Sequence, residues 1–544
     1  MKAYRSFSML QTGQYEAIPG REAEMVQNAE KGYVFKLDDW QAFDRFLLLG
    51  SAEGTYYVAA NKLTRENALR VIACINADGK RAVDKIVGIS DAGRAPKNDP
   101  AIFALALAAS ATSPETRALA LAALPKVCRI PTHLFHFVTY VRQFRGIGRG
   151  LRRALASWYN DQPVEALAYQ VVKYQSRDGW SNRDVLRLAH PQTSEEIRSS
   201  LYKWITKGLV EGAPFEPPFP DIVAAFENVK CSGDIKWIVH NINFNNLSRE
   251  MLPTESLKHP EVWEALLQKM PPHALLRNLG NLSKCGLLKP LSDASQLVVK
   301  KLSDSAALKK RRVHPVDVLV ALKIYSQGKG MKGDGKWTPV PAVVDALNDA
   351  FYSCFDHVTP TGKRILYGVD MSGSMLGSAF GSGWNCPDIA NTPLHPCEGA
   401  AAMTMASLRS ESNTFVMGFA NTFRDLGITS KMRLDDVVKK SLAHAFGRTD
   451  CAQPMIWALD NKINVDCFVV LTDNDTYAGS IHPTQALRRY REKTGINAKQ
   501  VVVGMTSTGY TIADPKDLNA LDCVGYDTST PAAISEFIRG DQNA

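Results

Sequence analysis

Four short apolar runs dominate the last third of the chain: RILYGVD (364–370), TFVMGFA (414–420), VDCFVVLTD (465–473) and KQVVVGMT (499–506). They are rich in Val and Phe, and stretches of helical pattern separate them. Runs this short, with no polar alternation, read as strands buried on both faces. That occurs in a mostly parallel sheet covered by helices on both sides. The sequence after Thr361 is therefore expected to form a doubly wound α/β domain, with CVGYD (523–527) as a candidate further strand.

Residues 1 to about 355 read differently, as short helices joined by tight turns. Asp99 before Pro100 and Ser113 before Pro114 have the form of an N-cap followed by proline at the first helical position. Ser181 with Asp184, and Thr193 with Glu196, have the spacing of capping boxes. Helices in succession without strands point to an α-solenoid, although no fixed repeat period is visible and a compact helical domain is the alternative. A chain of 544 residues is too long for one core. The expected division is a helical domain over 1–360 and the α/β domain over 361–544.

Composition narrows the partners. A net charge of +9 and a pI near 8.9 are compatible with a polyanionic partner, and equally with an ordinary soluble protein. The longest apolar stretch, around Ile102 to Ala111, falls short of the ~20 residues that cross a bilayer. The N-terminal MKAYRSFSMLQTGQYE lacks the apolar core of a signal peptide. The ten cysteines are scattered, with no CxxC pair. Reduced thiols, a cytoplasmic location and no membrane partner are the expectation. A disulfide between Cys386 and Cys397, which share one loop, is the disfavoured alternative.

The first apolar run ends in Asp370-Met371-Ser372-Gly373-Ser374. Ligands of open α/β sheets lie beyond the carboxyl ends of the strands. One carboxylate and two hydroxyls spaced in this way offer three oxygens to a single point, as a hard divalent cation such as Mg²⁺ requires. Thr449, in a loop between strands, and Asp473, at the end of another strand, are the remaining candidate ligands. Taken alone, DxSxS is more often a turn with a helix cap. The preceding strand and the two distal loops favour the metal. Such a site leaves a coordination position open to an acidic partner. A hydrolase would need a general base beside an activated water, and Asp475 is the one residue that could be imagined there.

The helical part carries a succession of cationic segments. Arg142, Arg145, Arg149, Arg152 and Arg153 cluster in VRQFRGIGRGLRRALASWY, where Arg145, Arg149 and Arg152 share a face if the segment is helical. Gly146, Gly148 and Gly150 favour a loop in its first half. Gln170, Lys173 and Arg177 follow at i, i+3, i+7, opposite Leu167, Val171 and Tyr174. Arg183, Arg187 and His190 recur at i, i+4, i+7, opposite Val185, Leu186 and Leu188. Any one such helix is usually just a solvated face. Three in a row with few acidic residues tilt the reading toward phosphate binding, with Tyr174 and Trp180 as candidate stacking partners for bases. Gly330 to Lys336 mimics the spacing of a phosphate-binding loop, but Trp337 stands where Ser or Thr would be needed, so the segment reads as a basic linker. The eleven histidines show no zinc spacing. No nucleophile elbow is apparent, and a non-enzymatic protein is expected.

Strings in order along nearly the whole chain resemble one family, the Ro ribonucleoprotein autoantigen and its bacterial orthologues, which carry a TROVE domain followed by a von Willebrand A domain. They are EGTYYVAANKLTRENA (53–68), CRIPTHLF (128–135), KYQSRDGWSNRDVLRLAH (173–190), LLRNLGNL (275–282), VHPVDVLVALKIY (313–325), TGKRILYGVDMSGSM (361–375), GRTDCAQPMIWA (447–458), VLTDNDTYAGSIHPTQALR (470–488) and GMTSTGYTIADP (504–515). The resemblance implies an α-helical HEAT-like repeat ring plus a Rossmann-like von Willebrand A domain. Asp370, Ser372, Ser374, Thr449 and Asp473 would form its metal-ion-dependent adhesion site. It further implies a monomer that binds small noncoding Y-type RNA on the outer surface of the ring. The contacts would fall on the positions of Lys173, Arg177 and His190, with the arginines of 142–153 matching a further basic segment. Single-stranded 3′ ends of misfolded RNA would enter the central hole, in RNA quality control with an exoribonuclease such as polynucleotide phosphorylase. The Gly-rich loop after Ser374 departs from the family pattern. The alternative is a metal-dependent protein-interaction scaffold to which RNA binding is incidental.

Overall fold

The structure is a computed structural model that describes residues 11–50, 68–209, 219–330, 335–355, 359–376, 394–420, 422–443, 447–506 and 508–540. Two compact units emerge, one of residues 1–70 with 355–544 and one of residues 71–354. In packing, the first 70 residues group with the α/β unit that follows residue 354.

The N-terminal stretch, read as part of a mostly helical region, opens on strands. Residues 25–36 form two short antiparallel strands, β1 (Met25–Gln27) and β2 (Tyr33–Lys36). The helix Asp39–Leu49 follows. A reciprocal box between Asp38 and Gln41 caps it, and Gly50 ends it in the left-handed region at φ 87°. The string 53–68 quoted above lies outside the described residues except for Ala68.

The helical unit runs from Gly79–Ala92 to Pro341–Ser353. Helices pack on their chain neighbours and on helices farther along. Asp99–Ala108 lies on Pro131–Phe144, Asp221–Lys230 on Val164–Lys173, and Pro315–Gln327 on Pro272–Lys284. This is a repeat array, and it returns on itself. Arg312 pairs with Asp91 at 2.6 Å and donates to its carbonyl, while the His314 ring meets the Arg94 carbonyl at 3.1 Å. The apolar stretch noted above is the helix Asp99–Ala108, whose residues from Pro100 onward are all buried. Among the described residues no helix is long and apolar enough to cross a membrane.

The cap assignments divide. Ser113 accepts from the Thr116 amide, and Ser181 with Asp184 closes a full box. Asp99 is not a cap but the first helical residue after Asn98, and its carboxylate points to His136 Nδ1 at 2.7 Å. Thr193 does not cap either. Its hydroxyl accepts from the Glu195 amide, Glu195 is the N-cap, and the Glu195 carboxylate turns to Arg198 at 2.8 Å. The helical unit also contains one tight hairpin, β3 (Ser176–Arg177) with β4 (Trp180–Ser181).

The α/β unit is built on β5 (Ile365–Asp370), β6 (Thr414–Phe419), β7 (Phe423–Asp425), β8 (Cys467–Thr472), β9 (Lys499–Gly504), β10 (Tyr510–Thr511) and β11 (Ala520–Val524). The sheet order is β11-β9-β8-β5-β6-β7, parallel except for the edge strand β7. All four apolar runs are strands, and β5 and β8 are buried at every position. The fifth strand begins three residues earlier than CVGYD. On one face Gly399 lets the helix Pro396–Leu408 approach Tyr526 so closely that a Cβ would lie 1.8 Å from its hydroxyl.

The N-terminal segment is fastened to this unit by β2 pairing antiparallel with β10, Phe35 opposite Thr511 and Lys36 opposite Tyr510. The buried Arg45 guanidinium adds an ion pair in which Nη2 donates to both carboxylate oxygens of Asp522 at 2.8 Å, while Nη1 donates to the Thr508 hydroxyl at 3.0 Å. Arg45→Ala leaves Asp522 without its cation, and breaking such a buried pair typically costs about 3–5 kcal/mol. Thermal unfolding of the full chain should show a clear drop in Tm for this variant. An unchanged Tm would mean that the segment is not held by this pair.

Candidate functional site

The carboxyl edge of the sheet brings the DxSxS residues and the two distal loops together. Asp370, the last residue of β5, is fully buried. One carboxylate oxygen accepts from the Ser372 amide at 2.9 Å and the other from the Thr472 hydroxyl at 2.6 Å. The hydroxyls of Ser372 and Ser374 lie 3.1 Å apart at the start of the short helix Gly373–Leu376. Asp473 follows directly on β8 and is fully buried. The carbonyl of Thr449 accepts from the amides of Tyr477 and Ala478, both at 3.0 Å, which ties its loop to the one after β8. Cys451 Sγ reaches the Thr472 hydroxyl at 3.5 Å from the same loop.

The electrostatics ask for a cation. Burial, and next the charge of Asp473, hold the Asp370 carboxyl well above the usual carboxylate range, and hydroxyls and an amide oppose this only in part. Two buried carboxylates beside clustered hydroxyls fit a hard cation such as Mg²⁺, which takes oxygen ligands and keeps waters. Asp370, Ser372, Ser374, Thr449 and Asp473 are the residues that would hold it. Among the described residues no group of three or more His, Cys, Asp or Glu is placed to hold a metal, at this edge or elsewhere, so a cation here would rely on hydroxyls and water beside the two carboxylates.

Sequence reasoning missed the supports of this edge. Thr472 fixes the orientation of Asp370. Gln14 is buried between the loops, donating to Asp450 at 2.7 Å and accepting from the Thr476 hydroxyl at 2.7 Å. Asp475, the imagined base, is instead engaged by the Tyr510 hydroxyl at 2.5 Å, and burial followed by the charge of Asp473 holds its carboxyl high. Cys397 is buried. Cys386 and its Gly-rich loop lie outside the described residues. At the phosphate-loop mimic, Lys329 and Lys336 form an antiparallel bridge, and residues 331–334 lie outside the described residues.

The cationic segments form an exposed face, but not the helical stripes expected. Lys173 ends the helix Val164–Lys173, with its ammonium 5.3 Å from the Tyr174 ring and 5.8 Å from that of Tyr169. Arg177 does not continue that helix at i+7. It lies on β3, because Asp178 (φ 52°) and Gly179 (φ 77°) both take positive φ and turn the chain into a hairpin. The Asp-Gly pair was the available signal for that turn. Asp178 is held by His136 Nε2 at 2.8 Å, and Arg142 lies over Trp180 at 5.2 Å.

Arg183 and Arg187 are exposed on the helix Asn182–Ala189. His190 leaves that helix as its left-handed C-cap, so it stands beside the pair and not in line with it. Arg145 is likewise off the expected face. It precedes the helix Arg149–Asn160 and donates to the Ala109 carbonyl at 2.7 Å. Arg149, Arg152 and Arg153 crowd the first turns of that helix, exposed, with Gly148 as an N-cap that supplies no side chain. Cations at a positive helix end are unfavourable by a few tenths to about 1 kcal/mol each, and a bound anion would reverse that.

Comparison with known proteins places these features in a family context. The TROVE domain model matches residues 26–215 and 245–363, and the Ro60 vWA domain model matches 364–538. The chain is 39% identical over 540 residues to the RNA-binding protein RO60 of Deinococcus radiodurans, covering 99% of each. It is 34% identical over 593 aligned positions to the protein of the same name from Caenorhabditis elegans, covering 95% of this chain and 90% of that one. The crystal structure of the Deinococcus radiodurans RO (RSR) protein superposes with a TM-score of 0.70 at 40% identity, over 93% of this chain and 100% of that one.

Millimolar Mg²⁺ should raise the Tm of the full chain, with saturation a hundredfold above Kd contributing about 2.7 kcal/mol. Asp370→Asn should abolish that gain. In EDTA it should be no less stable than the parent, because it removes one of two repelling buried charges. An equal Mg²⁺ gain in both proteins would place the metal elsewhere.

Proposed function

The chain belongs to the Ro60 family of RNA-binding proteins, and from that premise we propose that it is the non-enzymatic protein of a cytoplasmic ribonucleoprotein. Its RNA partner is a small noncoding Y-type RNA held on the face of Lys173, Arg177, Arg183, Arg187 and His190, extended by Arg142, Arg149, Arg152 and Arg153. The observation that carries this reading is the hairpin of residues 176–181. It presents Arg177 between the ring-backed Lys173 and the helix of Arg183 and Arg187, with Trp180 covered by Arg142.

Phosphates meet cations there, and neighbouring rings supply faces for unpaired bases. A single-stranded 3′ end of misfolded RNA would enter the closed helical unit. Its helices Pro272–Lys284 and Pro315–Gln327 line a cavity of about 360 Å³ with His273, Arg277, Asn281 and Asp317. In this reading the protein supports RNA quality control by presenting RNA to an exoribonuclease, polynucleotide phosphorylase being the partner the family suggests. The metal site serves a protein contact, its open position taking a partner's carboxylate.

Binding should fall steeply with salt, with a log–log slope of roughly −0.7 to −0.9 per phosphate contact. Charge reversal at Lys173 and Arg177 together should weaken a structured small RNA at least about tenfold and make that slope shallower by roughly two. Asp370→Ala should leave RNA affinity unchanged. Full-length affinity after charge reversal would move the RNA face elsewhere. RNA-free protein at low salt would favour the metal-dependent scaffold.

A further inference from the structure

Residues 216–244 fall between the two blocks that the TROVE model matches. They include nearly all of the helix Ile235–Asn245, which buries Ile238, Asn241 and Ile242 on its inner side. On its other side Trp237, His240 and Phe244 recur at i, i+3, i+7 and share one face. Their rings are nearly parallel. Trp237 and His240 lie at 13° with centroids 5.5 Å apart, and His240 and Phe244 at 8° with centroids 5.8 Å apart. All three are exposed, Trp237 by 44% and Phe244 by 78%. Single exposed apolar residues need no explanation, but three rings stacked in register on a solvent face do.

The surroundings favour a polyanion. The helix carries no carboxylate from Ile235 to Asn245, and its one fixed charge is Lys236. At its far end Lys269 Nζ donates to the Asn243 carbonyl at 2.5 Å, next in sequence to Phe244. A narrow groove begins at the inner side and end of the same helix, at Ile242 and Asn246, and runs past Arg249, Glu250 and Lys269 to Tyr169 and Lys173. Lys269 thus links the ladder's end to a groove that reaches the cationic face.

We propose that Trp237, His240 and Phe244 form a stacking platform for unpaired bases of RNA, whose phosphates follow the groove toward Lys173. The proposal rests on the RNA-binding reading above. A base inserted between two rings needs twice the ~3.4 Å stacking distance, more than either centroid spacing allows. Bases therefore add at the ends, on the outer faces of Trp237 and Phe244. Because every base has a π face, the platform is tolerant of sequence.

The test is fluorescence anisotropy on the full chain with two labelled probes, an oligoadenylate of about twelve nucleotides and a blunt hairpin without unpaired ends. Trp237→Ala and Phe244→Ala should each weaken the oligoadenylate roughly tenfold while the hairpin binds as before. Phe244→Tyr should behave like the parent. Phe244→Leu, apolar but without a π face, should behave like the alanine variant. Both side chains are exposed, so Tm should not move. If the parent binds oligoadenylate and every variant binds it within twofold, the platform is refuted while the RNA reading stands. If the parent binds neither probe, the RNA reading falls and takes the platform with it. If Phe244→Ala instead abolishes self-association with RNA affinity unchanged, the face is a contact between copies and the proposal is overturned.

Discussion

The short ladder between β2 and β10 is the constraint on which the make-up of the α/β unit depends. It joins Phe35 to Thr511 and Lys36 to Tyr510, residues more than 470 positions apart. With it the first 70 residues belong to the same unit as the last 190. Within the helical unit, early helices likewise meet late ones through Asp91 with Arg312 and Arg94 with His314. Closing so long a loop carries an entropic cost that grows only slowly with its length, so a few well-made contacts offset it.

The same segment shapes the carboxyl edge of the sheet. Gln14 fills the space between the loops of Asp450 and Thr476, Asn28 donates to the Thr476 carbonyl at 2.8 Å, and Tyr510 engages Asp475. The loops bearing Thr449 and Asp473 are thereby held from outside the α/β sequence. Polar side chains with their bonds satisfied make a stiff frame. Within it Asp370 and Asp473 are buried side by side, an arrangement that is costly until a cation neutralises it. Rigidity and two neighbouring buried carboxylates are what support the proposal of a metal at this edge.

The cationic face follows a different logic. Its charges sit on a helix end, a hairpin, a short helix and that helix's left-handed cap, and each element orients its residues by its own backbone geometry. Buried contacts keep the group in register. Asp178 is fixed by His136, which also meets Asp99, and Asn182 donates to the Tyr174 carbonyl at 2.9 Å. Long side chains on such a frame keep their charged heads in water while their stems lie on rings, as with Lys173 on Tyr169 and Tyr174.

The sequence by itself determined the α/β unit. A strand buried on both faces must be apolar throughout, so β5, β6, β8 and β9 announced themselves, and Asp370 stood where a strand of such a sheet ends. It determined several helix starts as well, because a cap such as Ser113 or Ser181 acts within three residues. Tertiary structure alone decided what depends on distant partners. β1 and β2 have little local signal, since what makes them strands is β10, some 475 residues on. The residues that hold the loops at the carboxyl edge, Gln14 above all, are ordinary polar residues until the fold buries them. At the cationic face, residue types were legible and geometry was not. A 3.6-residue period fits Lys173 and Arg177 on paper, but the positive φ of Asp178 and Gly179 decides that the chain turns there. Spacing along a sequence names which charges can meet, and backbone conformation and long-range pairing decide which of them do.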